Sequence, residues 1–258
     1  MTHMVPSMPV ENNKSSALLT DFYELTMSQG FFATGKNPSV VFDMFYRTQP
    51  FNGGYAIFCG LKDIIEIIAS FHFSADDIAY LRGQQLFSED FLAFLTDFSF
   101  TGDIYAMDEG SVIFPGEPLI RVHSSLIEAQ LIESILLNTI NFQTLIATKM
   151  SHVYHASQYG KVMEFGLRRA QGIDGAISAS RAAFIGGAYA TSNTLAGSRY
   201  GIPVSGTMAH SWVMAFSDEL EAFRAYAAIF PDSCVFLIDT YDTLTSGIDN
   251  AITVGLEL

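Results

Sequence analysis

Two adjacent arginines follow a short apolar segment in EFGLRRAQG, residues 164–172. A guanidinium group donates paired hydrogen bonds to phosphate or carboxylate oxygens, so Arg168 and Arg169 predict an anion-binding turn. A salt bridge to a neighbouring helix is an equally good interpretation of Arg169. Residues 149–200 hold six basic and two acidic side chains in a sequence whose net charge is −14. This positive segment suits a small anion, although side chains scattered on helix surfaces would give the same count.

A histidine and two carboxylates follow later apolar segments. His210 comes after the Gly-Thr turn of SGTMAHS, where it can act as a base or a nucleophile because imidazole exchanges protons near neutral pH. Asp239 ends the run CVFLID and can hold ribose hydroxyls or Mg²⁺, whereas Asp242 suits a helix N-cap. His152 and His155 have no carboxylate or cysteine close in sequence, so we predict no protein-ligated metal site there.

The composition predicts a folded protein, since 49% of the 258 residues are hydrophobic and 16% are charged. The acidic balance argues against nucleic acid and anionic membranes as partners. The sequence has no basic segment followed by an apolar run at its N-terminus and no apolar stretch of about 18 residues, so we expect a cytoplasmic protein. Neither GxGxxG nor GxxxxGKS/T occurs, which argues against a Rossmann dinucleotide site and a P-loop kinase.

Short strands and helices must position these side chains. We predict a loose arm over residues 1–16 and an α+β region to residue 124. From Ser125 to Tyr159, where no Pro or Gly interrupts the helical spacing, we predict one long helix or two abutting ones. In the α+β region we predict helices over 18–34 and from residues 60, 74 and 88, and strands at 39–46, 55–59, 103–107, 111–114 and 119–123.

The sequence after the long helix alternates between strands and helices. We predict strands at 161–165, 188–190, 202–205 and 234–239, each followed by a helix, the third of which runs to about Phe230. This alternation is typical of a parallel sheet, either an open doubly wound sheet or a (β/α) barrel, with functional groups at the carboxyl ends of the strands. We therefore predict domains at 1–124 and 125–258.

A barrel needs eight such units, and this sequence has four. Its last segment, SGIDNAITVGLEL, is an amphipathic helix without a glycine or a basic residue at its end. Because half a barrel would expose a parallel edge, we expect a truncated chain or a subunit completed by another polypeptide. The alternative is an open four-stranded sheet whose edges the N-terminal region covers.

Taken together, these segments resemble nicotinate phosphoribosyltransferase. The resemblance runs through LLTDFYELTMSQG, PFNGGYAIFCGL, TGDIYAMDEGSVIFPGEPLIRV, NFQTLIATK, the segment from EFGLRRAQG to SGTMAHS, and LIDTYDT. It implies an N-terminal α+β domain followed by an incomplete (β/α) barrel of the type II phosphoribosyltransferase kind. It also implies a homodimeric, ATP-dependent enzyme of NAD biosynthesis that makes nicotinate mononucleotide from nicotinate and phosphoribosyl pyrophosphate, with Mg²⁺.

The resemblance also implies roles for individual residues. His210 is similar to the family's phosphorylated histidine, Arg168 to an arginine that contacts diphosphate, and Asp239 to an acid near the ribose. Thr207 and Tyr23 resemble residues of the nicotinate pocket, and the tyrosine reaches the pocket of the neighbouring subunit. From its helical spacing alone, Tyr23 would be interpreted as core packing.

Asn193 stands where a nicotinamide-using relative has an acid. A neutral residue there suits a substrate that itself carries a carboxylate, because a buried like charge would repel it. Members of the family are much longer, so we expect the 5-phosphate site to lie outside this sequence and the chain alone to lack steady-state turnover. The alternatives are a non-catalytic remnant that dimerises or binds a pyridine carboxylate, and specificity for nicotinamide or quinolinate.

Overall fold

The computed structural model describes residues 17–258, so the predicted loose arm over 1–16 lies outside the described residues. The chain forms two compact units, one that ends at Tyr189 and one that spans Ala190–Leu258. The predicted domain limits, 1–124 and 125–258, remain a prediction. Within the described residues no helix combines the length and apolar character needed to cross a bilayer.

The first unit contains the helices and strands predicted for the α+β region, and their observed ends differ from the predicted ends by a few residues. Its helices and strands are α1 (Phe22–Thr34), β1 (Ser39–Met44), β2 (Ala56–Ile57), α2 (Leu61–Ala69), α3 (Ala75–Gly83), α4 (Glu89–Thr96), β3 (Asp103–Ala106), β4 (Val112–Ile113), β5 (Ile120–Ser125), α5 (Leu126–Ala156), β6 (Met163–Glu164) and α6 (Gly172–Ile185).

An antiparallel sheet and three short helices enclose the core of this unit. The sheet order is β1-β5-β3, with Phe42 opposite Val122 and Ile104 opposite the same residue on the other side. β2 pairs with β4 in a separate antiparallel ribbon. Ile120 and Val122 of β5 point into the core, whereas Arg121 points to solvent, as expected of a sheet with one wet face.

The helix α5 is the longest element, with 31 residues. A capping box begins it, because Glu128 accepts hydrogen bonds from the backbone N–H of Ser125 and from its hydroxyl. α5 packs against α1, α2 and β2 and also against α6. It is therefore shared by the sheet-containing part and the first β/α segment of the same unit.

The second unit consists mainly of helices. Its elements are β7 (Ala190–Thr191), α7 (Thr194–Tyr200), α8 (His210–Met214), α9 (Glu219–Ile229), a π turn (Thr243–Gly247) and α10 (Ile248–Glu257). One parallel bridge joins Thr191 to Val204, within the segment predicted as a strand at 202–205. The core of this unit is small and is centred on Phe223 and Val213.

Three secondary-structure predictions for this unit are wrong. Residues 202–205 contribute only the isolated bridge at Val204 and not a strand. Residues 234–239 form no strand in the described structure, because an apolar run becomes a strand only when a neighbour pairs with its backbone, and the second unit supplies none. The helix predicted to run to Phe230 is two helices. Asp218 separates them, since its carboxylate accepts a hydrogen bond from the backbone N–H of Glu221 and begins α9. The mixed α/β fold class is confirmed.

Candidate functional site

The predicted anion-binding turn lies between β6 and α6 in the first unit. Leu167–Arg169 forms a single 3₁₀ turn, closed by a 2.8 Å hydrogen bond from the N–H of Arg169 to the carbonyl of Gly166. Both guanidinium groups are exposed, and within residues 17–258 neither has an acidic side chain within ion-pair distance. The salt bridge considered for Arg169 is therefore absent among the described residues, and both arginines are exposed to solvent.

Arg181, another member of the positive segment, has a structural role instead. Its guanidinium is buried and makes a bidentate ion pair with Glu109, at 2.9 and 2.5 Å. The same carboxylate accepts the backbone N–H of Gly60 at 2.7 Å. Burial disfavours the charged carboxylate, but the hydrogen bonds from Arg181 and from backbone N–H groups, together with the positive charge of Arg181, outweigh burial and lower the pKa of Glu109. This ion pair joins α6 to the loop before β4, and the sequence spacing gave no sign of it.

Tyr23 lies on α1 with about half of its surface exposed (51%). The core-packing interpretation of this residue is therefore wrong, and the phenol is available to a ligand or to another chain. The adjacent Glu24 carboxylate, as a hydrogen-bond acceptor and as a negative charge, raises the pKa of Tyr23 to about 12. The hydroxyl group is therefore protonated at neutral pH and can donate a hydrogen bond.

The structure brings His210 and Asp239 together in the second unit. His210 is the first residue of α8, and its Nε2 lies 4.0 Å from Oδ1 of Asp239. Its Nδ1 lies 3.3 Å from the hydroxyl of Thr240. Both His210 and Asp239 are more than half exposed, so a substrate can reach them. Thr207, three residues before the histidine, donates a hydrogen bond to the carbonyl of Met208.

The ring of His210 is thus held at one nitrogen by a hydroxyl, while the other nitrogen faces a carboxylate. Such an arrangement orients the imidazole ring. The imidazole is therefore suited to nucleophilic attack or proton transfer on a polar substrate.

Asn193 and Asp242 both cap helical turns. Asn193 is buried at the start of α7, and its Oδ1 accepts the backbone N–H of Ala196 at 3.2 Å. Asp242 accepts the N–H groups of Leu244 and Thr245, which confirms its predicted role as a cap. Its hydrogen bonds with Thr245 are the main cause of the lowered pKa of Asp242.

Comparison with solved structures places this fold among the phosphoribosyltransferases. The chain superimposes on human nicotinic acid phosphoribosyltransferase with a TM-score of 0.83 and 31% identity, over 92% of this chain and 58% of the human one. Nicotinate-nucleotide pyrophosphorylase of Pyrococcus furiosus gives a TM-score of 0.76 at 20% identity, over 99% of this chain and 57% of that one, which supports the fold alone.

Among the phosphoribosyltransferases, sequence comparison points to the nicotinate phosphoribosyltransferases. Residues 18–141 match the nicotinate phosphoribosyltransferase N-terminal domain. Proteins named nicotinate phosphoribosyltransferase from Mycobacterium tuberculosis and Bacillus subtilis are 44% and 47% identical, in each case over 94% of this chain. The chain is therefore similar to nicotinate phosphoribosyltransferases along almost all of its length. It spans about half the length of these relatives, 52% and 50% respectively.

Proposed function

We propose that this chain supplies the N-terminal domain and the first barrel units of a cytoplasmic nicotinate phosphoribosyltransferase in NAD biosynthesis. The reaction joins nicotinate to phosphoribosyl pyrophosphate, forms nicotinate mononucleotide and releases diphosphate, coupled to ATP hydrolysis. The single observation that carries the proposal is the pairing of His210 with Asp239, at 4.0 Å, in a segment that aligns with the named relatives.

The transfer step forms a bond from the ring nitrogen of nicotinate to the anomeric carbon of the ribose. The bond from that carbon to diphosphate breaks, so positive charge develops on the ribose and negative charge on the leaving group. The exposed guanidinium of Arg168 stabilises the departing diphosphate, and fixed charges of this kind are often the largest contribution to catalysis. Mg²⁺, when bound to the diphosphate, neutralises further charge, and Asp239 is a carboxylate of the kind it prefers.

His210 takes the γ-phosphoryl group of ATP. A ring nitrogen forms the new N–P bond, the P–O bond to ADP breaks, and water later cleaves the phosphohistidine to release phosphate. The contact with Thr240 orients the ring, and the carboxylate of Asp239 stabilises the positive charge that develops on the ring as the N–P bond forms. The exposure of the imidazole leaves room for the phosphoryl group.

Nicotinate is recognised through neutral donors. Asn193 brings no negative charge near the substrate carboxylate. Thr207 and Tyr23 offer neutral hydroxyl groups, which would exchange their present acceptors, the carbonyl of Met208 and the carboxylate of Glu24, for the substrate. We place Tyr23 in the pocket of a second copy of the chain, which makes the enzyme a homodimer. Its 51% exposure on α1 supports that placement.

A complementation experiment tests this function. The purified chain is mixed with the C-terminal half of the Bacillus subtilis relative, and nicotinate mononucleotide is measured with ATP, Mg²⁺ and both substrates. We expect turnover from the mixture, none from either piece, and none when His210→Ala replaces the wild type. Labelled ATP should phosphorylate the wild type but not this variant.

Other outcomes would contradict parts of the proposal. Turnover by the chain alone would remove the requirement for a complementing polypeptide. A mixture that forms a stable complex without turnover would favour a non-catalytic remnant. Faster turnover with nicotinamide or quinolinate than with nicotinate would refute the specificity that we assign to Asn193, Thr207 and Tyr23.

A further inference from the structure

A carboxylate is buried where all of its neighbours are accessible. In the segment 161–169, Glu164 is the one residue classed as buried, with 8% of its surface exposed. Val162 is half-buried, and the remaining side chains, including both arginines of the turn, face solvent. Glutamate is rarely buried unless hydrogen bonds or a charge partner compensate for its lost hydration, so the position calls for a physical reason.

Hydrogen bonds to two different elements account for the buried position. One carboxylate oxygen accepts the backbone N–H of Gly166, and the other accepts the hydroxyl of Ser180 at 2.9 Å. Ser180 lies on α6, about two helical turns after the first residue of that helix. Glu164 therefore links the end of β6, the first residue of the turn and the body of α6.

Gly166 makes this close approach possible. A Cβ atom at this residue would lie 2.8 Å from Oε1 of Glu164, closer than real Cβ contacts allow. The carbonyl of the same glycine accepts the N–H of Arg169 and closes the 3₁₀ turn. The peptide units on both sides of Gly166 are thus fixed, one by Glu164 and the other by the turn, and Arg168 lies between these anchors.

We propose that Glu164 is a positioning residue that holds the turn 166–169 so that Arg168 presents its guanidinium to diphosphate. This inference rests on the proposed function, since it takes diphosphate as the ligand of Arg168. Glu164 acts through the backbone and does not touch the ligand. Its negative charge is not needed for this role, whereas its two oxygen positions are.

Substitution by glutamine separates geometry from charge. In Glu164→Gln the side-chain oxygen can still accept the N–H of Gly166, and the new NH₂ group can donate to the hydroxyl of Ser180. That hydroxyl already lies 3.0 Å from the carbonyl of Ala176 and can donate to it instead. Glu164→Ala removes both links, and Gly166→Ala forces the carboxylate away while it keeps Glu164 itself.

The test measures binding of Mg²⁺-diphosphate to the full chain by calorimetry. We expect Glu164→Ala and Gly166→Ala to weaken binding about 10- to 100-fold, the effect of a group displaced by about 1 Å. Glu164→Gln should remain within about threefold of the wild type. Adding Glu164→Ala to Arg168→Ala should cause no further loss, because residues that act as a unit are not additive.

Glu128→Ala is the matched control, because Glu128 also accepts backbone N–H groups but does so at the start of α5. It should lower the melting temperature as much as Glu164→Ala does and leave diphosphate binding unchanged. If the wild type binds diphosphate through Arg168 and both Glu164→Ala and Gly166→Ala bind equally well, the positioning role alone is refuted. If the wild type binds no diphosphate, both the positioning role and the proposed function are refuted.

Discussion

The two compact units differ in how their strands find partners. The first unit pairs β1, β5 and β3 side by side and covers them with a core of 25 buried hydrophobic residues. The second unit has six buried hydrophobic residues in its core, and its apolar segment at 234–239 is paired with no strand. Antiparallel strands can pair with neighbours that come from the same region, whereas parallel strands need several β/α units before each has a partner on both sides.

This difference in strand pairing should affect the stability of each unit. A region that contains both partners of each antiparallel strand pair satisfies its own backbone, so its stability depends on its own core. A region built from β/α units depends on how many units are present, as repeat-like architectures do. We therefore expect the first unit to unfold at higher denaturant concentrations than the second, and the following changes test that expectation.

The largest effect should come from Phe91→Ala. Phe91 is fully buried and packs against the rings of Phe32, Phe87 and Phe94, so its removal leaves a cavity and should lower the free energy of unfolding by about 3–5 kcal/mol. Urea denaturation followed by circular dichroism measures this loss. Phe223→Ala, the counterpart in the second unit, should increase hydrogen exchange only within residues 190–258. Increased exchange throughout α5 in that variant would contradict the comparison.

Removal of the buried charge partner should have the next largest effect. Glu109→Gln leaves the Arg181 guanidinium buried without a carboxylate, and because Glu109 keeps some exposure we expect a loss of about 2–3 kcal/mol near pH 7. The folded-state pKa of Glu109 is lowered from 4.5, so the ion pair stabilises the protein above that pH and is lost as pH falls through the folded value. The wild type and the variant should therefore converge in stability below pH 4.5, which acid titration of the melting temperature checks.

Gly247→Ala tests how the unpaired segment is held in the second unit. A Cβ at this residue would lie 2.0 Å from the carbonyl oxygen of Ile238, which belongs to the 234–239 segment. Such a clash should cost about 1–3 kcal/mol. Gly255→Ala is the control, since nothing lies within 4 Å of its Cβ and alanine favours a helix by about 1 kcal/mol. Equal melting temperatures for the two variants would show that the segment is not held by this contact.

The smallest effect should come from Ser74→Ala, which removes the capping box of α3. The hydroxyl of Ser74 accepts the N–H of Asp77, and the Asp77 carboxylate accepts the N–H of Ser74. We expect a loss of about 1 kcal/mol, measured by urea denaturation. Asp218→Ala, which removes the cap of α9, should cause a comparable local loss that hydrogen exchange confines to the second unit. A larger effect at Asp218 would mean that caps matter more where the core is small.

The contrast between the units also explains which features the sequence could predict. Helix starts such as Ser74 and Ser125 were predictable because a cap is a local interaction between residues three apart. The strand at 234–239 was not, because apolar character is a property of the segment whereas pairing is a property of its neighbours.

In the candidate site, too, local features were predictable from the sequence and contacts between distant segments were not. His210 and Asp239 were predicted because each follows an apolar segment, and the structure places them 4.0 Å apart. The Glu109–Arg181 pair was missed, since its partners are far apart in sequence and neither belongs to a motif. The role of Glu164 was missed for another reason: a glutamate in a short strand beside two arginines gives no sign that it is buried.

The cap at the start of α7 has an evolutionary consequence. Asn193 contributes a side-chain oxygen to the N–H of Ala196, and aspartate, which is also a favoured N-cap residue, can supply an oxygen in its place. A single-base change in the asparagine codon can thus introduce a negative charge here while the helix cap is kept. Under the proposed function, such a change would place a like charge beside the substrate carboxylate, so charge selectivity would change while the helix start is kept.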